Sequence, residues 1–93
     1  MRVDGFSMEP VLKPGDHVIA RSVHIDDDLP PLGSIVVSWH PQQARTRIIK
    51  RLTGCSQGLM ELRGDNPPAS TDSRQFGPVK RSLLIAVVTA VMR

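Results

Sequence analysis

The eight prolines and seven glycines of this 93-residue chain fall almost wholly between short runs rich in Val, Ile and Leu, and that spacing constrains the fold more than any other feature. Each run is too short for a stable helix and is bounded by residues that turn the backbone. The pattern is that of β-strands joined by tight turns. Strands are expected at Arg2 to Gly5, His17 to Ser22, Ser34 to Trp39, Arg45 to Thr53, Leu59 to Arg63 and Leu83 to Val91. Turns are expected at Pro14-Gly15-Asp16, at Pro30 to Gly33, at Gly54 to Gly58 and at Pro67-Pro68, with one helical turn over Met8 to Leu12. With only three aromatic residues, the core must be built from aliphatic side chains, which favours sheet. The expectation is an all-β, compact, β-barrel-like domain with few or no helices, occupying residues 1-93 as one unit.

Within that frame, Ser7 and Lys50 stand out as a nucleophile and a base. A serine hydroxyl needs a neighbouring group to take its proton, and a neutral lysine amine can do so. On a strand over residues 46 to 53, Lys50 shares a face with Thr46, Ile48 and Leu52, while Arg47 and Arg51 point the other way. Aliphatic neighbours strip water from the amine and lower its pKa. Bringing a lysine from roughly 10.4 to about 7 takes about 5 kcal/mol, which burial can supply. An isolated lysine is ordinarily a solvated strand-edge residue, so the assignment needs support from the rest of the chain.

That support is a series of short motifs: Ser7-Met8-Glu9-Pro10, Pro14-Gly15-Asp16, Lys50-Arg51-Leu52, Gly64-Asp65-Asn66 and Ser70-Thr71-Asp72-Ser73-Arg74. In this order they resemble the successive boxes of the signal peptidase I family, from about Val3 to Val91. The resemblance implies that Ser7 is the nucleophile, Lys50 its general base and Ser70 the hydroxyl that orients the lysine amine. It implies that Asp72 and Arg74 form a structural ion pair beside the site and that Met8 lines the substrate cleft. The Ser7 N–H would be one oxyanion-hole donor. Gly5 stands where some members carry a second, serine donor. The chain also has Gly33-Ser34 where the family usually has Gly-Asp, lacks the usual Pro-Gly-Asp after the lysine, and lacks the insertion many members hold before Gly64-Asp65-Asn66.

The implied activity is a serine endopeptidase that removes a leader or signal peptide from a precursor protein, cutting after small residues. Within the family, the short form and the wording from Gly64 to Val79 most resemble the maturation proteases of nickel-type superoxide dismutase, with a general signal peptidase fragment and a relative of the organellar inner-membrane peptidases as the alternatives. The alternative is the self-cleaving, dimerising domain of a SOS-type repressor, which shares the Ser-Met motif and the dyad. Such domains accompany a DNA-binding helix-turn-helix, for which there is no room before residue 5.

Other chemistries have weaker footing. The net charge of +3 is scattered rather than gathered, which argues against a nucleic-acid partner. Asp26-Asp27-Asp28 reads as a solvated loop, and His17, His24 and His40 lack the short spacings of a zinc site, so neither metal nor cofactor is expected. Cys55, the single cysteine, lies in an expected turn and can form no internal disulfide. No stretch reaches the roughly 18 to 20 apolar residues of a membrane span; Leu83 to Met92 reads instead as a buried terminal strand. Cytoplasmic location, or membrane association through a separate anchor or partner, both fit this pattern.

Overall fold

In the computed structural model, which describes residues 1–93, the aliphatic runs form six strands of one antiparallel sheet. These are β1 (His17–Ser22), β2 (Ile35–Trp39), β3 (Arg47–Ser56), β4 (Leu59–Arg63), β5 (Val79–Lys80) and β6 (Leu84–Met92), in the order β1-β6-β2-β3-β4-β5. The expected all-β architecture is present, with one four-residue helix, α1 (Ser73–Phe76), and 3-10 turns at Pro67–Ala69 and Arg81–Leu83. No helix is long and apolar enough to cross a membrane.

Both faces of the middle of the sheet are covered, and this explains the unbroken apolar runs in β2 and β6. One face carries Val36, Leu52, Met60, Leu62, Val79, Leu84 and Val87, with Val23. The other carries Val37, Ile49 and Ala86, closed by Val3, Met8, Leu12 and Val18. Cross-strand pairs keep the two sets apart: Val36 opposes Val87 and Lys50, whereas Val37 opposes Ala86 and Ile49. Lys50 therefore lies on the first face, with Leu52 two residues on.

Two local expectations require correction. Arg2 to Gly5 is not a strand; it forms a single bridge, Arg2 to His17, before Gly5 turns the chain at φ +81°. Strand β3 runs on to Ser56, so Gly54 and Cys55 lie within it, and the turn shrinks to Gln57-Gly58, both at positive φ. A register shift between Leu52 and Gly54 absorbs the glycine in the ladder. The two-residue strand β5 and helix α1 are additional elements. At Met8 to Leu12, the Leu12 N–H donates to the Met8 carbonyl at 2.9 Å, closing the expected helical turn.

The pairing leaves one gap that matters for the site. Strand β4 pairs with β3 only from Arg51 onward, so on that side residues 47–50 of β3 have no strand neighbour.

Candidate active site

Ser7 and Lys50 reach the same cleft from different parts of the fold. Ser7 follows the Gly5 bend and leads into Met8 of the second core; Lys50 projects from the first-core face of β3. They meet at the open edge of β3, where the cleft is lined by Met1, Arg2, Asp4 and Ser7 on one side and Arg47, Ile48, Ile49 and Lys50 on the other. No hydrogen bond joins Ser7 to Lys50; the amine donates instead to Ser70 Oγ at 3.1 Å.

Ser70 is one link of a longer relay. Its hydroxyl donates to Asp72 Oδ2 at 2.8 Å, and the same carboxylate accepts from the Gly64 N–H at 2.8 Å and from the Arg74 guanidinium at 2.6 and 2.9 Å. Asp72 also caps α1: its carboxylate accepts from the Arg74 N–H at 3.0 Å while its own N–H donates to Gln75 Oε1 at 2.9 Å. Asp72 is fully buried, and every bond it makes is one that a buried carboxylate requires. Burial alone would push its pKa up; the hydrogen bonds from Arg74, the two backbone N–H groups and Ser70 outweigh that and hold it well below the usual carboxylate range.

Lys50 is only 5% exposed. Desolvation pulls its pKa down; Asp72 opposes this and Arg74 adds to it, leaving the amine below its ordinary value of 10.5. The arginine next to it in sequence, Arg51, is directed elsewhere. Arg51 makes a bidentate ion pair with Asp65 at 2.9 and 2.7 Å and donates to the Gly33 carbonyl at 2.6 Å, while Arg47 is exposed at the cleft.

The loop 64–66 fits between these parts. Asn66 donates from its backbone N–H to the Ser7 carbonyl at 2.8 Å and from Nδ2 to the Phe6 carbonyl at 3.0 Å. A Cβ on Gly64 would lie 2.6 Å from Ser70 Cβ and 2.7 Å from the Ser7 carbonyl oxygen, so only glycine fits there. The Ser7 N–H has no acceptor within the protein.

The structure thus brings Ser7, Lys50, Ser70, Asp72 and Arg74 into one neighbourhood. Met8 packs in the second core at 1% exposure and is not among the residues that line the cleft. Sequence reasoning missed the Asn66 clamp, the Arg51–Asp65 pair and the service of Asp72 as helix cap. The Gly64-Asp65-Asn66 motif was the available signal for the first two, and Asp72 followed three residues later by Gln75 was the signal for the third.

The model of a family described as signal peptidase, peptidase S26, matches residues 1–63, a stretch that contains Ser7 and Lys50 and ends before Ser70. Mitochondrial inner membrane protease subunit 2 of Mus musculus is 31% identical over an alignment 113 positions long, which covers 98% of this chain and 65% of the mouse protein. The chain therefore spans just under two thirds of the length of that curated relative.

Proposed function

The chain belongs to the signal peptidase family, peptidase S26, and from that premise we propose that it is a minimal Ser-Lys endopeptidase domain that removes a leader or signal peptide from a precursor protein. One observation carries this reading: a buried lysine with lowered pKa, its amine held by the Ser70-Asp72-Arg74 relay, opens on the same cleft as Ser7.

The chemistry follows from the protons. Neutral Lys50 keeps an N–H on Ser70 and turns its lone pair toward Ser7, a contact that is open in the free protein and tightens when substrate fills the cleft. The Ser7 hydroxyl gives its proton to Lys50 as Oγ attacks the scissile carbonyl, and the free Ser7 N–H meets the developing oxyanion. The Lys50 ammonium then returns the proton to the departing amine. In the second half, a water gives its proton to Lys50 as it attacks the acyl ester, and the Lys50 ammonium returns that proton to Ser7 Oγ as the acid product leaves. The unpaired edge of β3 at residues 47–50 offers backbone groups to an extended substrate, which would add as a strand facing residues 1–4.

The finer assignment, to the maturation proteases of nickel-type superoxide dismutase, rests on the wording from Gly64 to Val79. The name of the mouse relative places that protein at the mitochondrial inner membrane. We therefore favour membrane association of this protein through an anchor or partner outside the described residues. Ser7→Ala and Lys50→Ala should each abolish processing of a leader-bearing precursor, read by mass spectrometry of the new amino terminus, with circular dichroism unchanged. Processing that persists in either variant rules out the dyad.

A further inference from the structure

We propose that Arg47, with Arg2 across the cleft, makes the site selective for peptides that carry a carboxylate side chain about three residues from the bond to be cut. The proposal names a substrate feature of the same cleft and so rests on the peptidase reading. It starts from charge. The cleft that holds Ser7 and Lys50 is also lined by Arg2, Arg47 and Asp4. The ion pairs of the protein join Arg51 to Asp65, Arg63 to Glu61, Arg74 to Asp72 and Arg93 to Asp16, and none of them uses a cleft residue. Two arginines and one aspartate therefore line the cleft without ion-pair partners, and their balance is positive even when Lys50 is neutral.

Geometry sets where the charge is read. Arg47 precedes Lys50 by three residues on an extended strand, which is about 10 Å at roughly 3.3 Å per residue. A substrate lying along the open edge of β3 with its scissile carbonyl at Lys50 brings a residue about three positions away abreast of Arg47. A guanidinium binds a carboxylate through two parallel hydrogen bonds, which favours Glu or Asp there over a neutral side chain. Asp4 in the same cleft would disfavour a second acidic residue, so one carboxylate rather than an acidic run is selected.

The test separates this selection from the peptidase reading. Decapeptides with small residues before the bond are made with Glu, Gln or Lys at each position from four before to four after it. Binding is measured by fluorescence anisotropy on Ser7→Ala protein, and cleavage on the unmodified protein. The expected result is one position, two to four residues from the bond, where Glu binds about fivefold more tightly than Gln, with an advantage that shrinks as salt rises. Arg47→Gln should flatten that preference, and Arg47→Glu should turn it toward Lys. Equal binding of the Glu, Gln and Lys peptides at every position overturns the proposal, even if all are cleaved. A Glu preference in binding without cleavage by the unmodified protein supports the selection and refutes the peptidase. Should Arg47→Gln weaken binding to phosphatidylglycerol vesicles while peptide binding shows no charge preference, the arginine serves a lipid surface and the proposal falls.

Discussion

At the scale of single residues, the site is a problem in where protons can rest. Lys50 is moved toward neutrality by loss of water, and Asp72 resists that by its negative charge. The arrangement works because Asp72 spends its charge on Arg74 and on two backbone N–H groups, leaving Ser70 as the only link to the amine. Asp72→Ala should leave the Gly64 N–H buried without a partner and Arg74 without its counter-ion, at a loss of about 3 kcal/mol in chemical denaturation. The pH dependence has a definite sign. Because the folded pKa of Asp72 lies below its ordinary 3.8, its stabilising contribution is complete above that value and drains away as pH falls toward the folded pKa. Lys50 acts at the other end: its folded pKa is below 10.5, so the penalty of its burial shrinks as pH rises through the folded pKa and is gone by the ordinary one. Acid unfolding followed by circular dichroism should start at a lower pH in Asp72→Asn, measured relative to that variant's own neutral stability. If the onset is unmoved, Asp72 is not the group that acid protonates.

At the scale of elements, the loop from Gly64 to Asn66 couples three parts that are distant in sequence. Arg51 ties it to β3 through Asp65, Asn66 holds the backbone at Phe6 and Ser7, and Gly64 lets Ser70 and Ser7 approach. Gly64→Ala inserts a methyl group between Ser70 and the Ser7 carbonyl and must push at least one of them away. The expected outcome is destabilisation of about 1–3 kcal/mol together with loss of precursor processing, read by denaturation and by mass spectrometry. A Gly64→Ala protein with unchanged activity would mean that the Ser7-Lys50 geometry does not depend on this approach. The β3–β4 hairpin shows why some boundaries were not legible in the sequence. Gly54 to Gly58 has the composition of a loop, yet Gly54 is held in the ladder by pairing with Glu61, and only Gln57 and Gly58 make the turn. Pairing across strands overrode local preference there.

At the scale of the molecule, the strand that comes last along the described residues lies inside the sheet rather than at its edge. β6 separates β1 from β2 and pairs with both, so β1 joins the sheet through β6. Removal of residues 84–93 should therefore abolish the cooperative thermal transition, rather than merely lower its midpoint, as followed by circular dichroism. A truncated chain that still melts cooperatively would show that β2, β3 and β4 suffice as a folding unit. The same topology makes the site a product of non-local contacts. Ser7, Lys50 and Ser70 come from three separate stretches of chain, and their approach depends on a sheet that is complete only when β6 is in place.

The amino-acid sequence alone determined the all-β class, the positions of most strands, the family boxes and the candidate pair Ser7 and Lys50, because side-chain alternation, turn residues and short motifs are local properties of the chain. Only the tertiary structure decided that Met8 packs in the core, that Asp72 links Ser70, Gly64, Arg74 and α1 at once, and that Asn66 grips the backbone at Phe6 and Ser7. It also placed Arg2 and Arg47 in the cleft. These features depend on which groups remain unsatisfied when distant segments exclude water together, and no local pattern of residues records that.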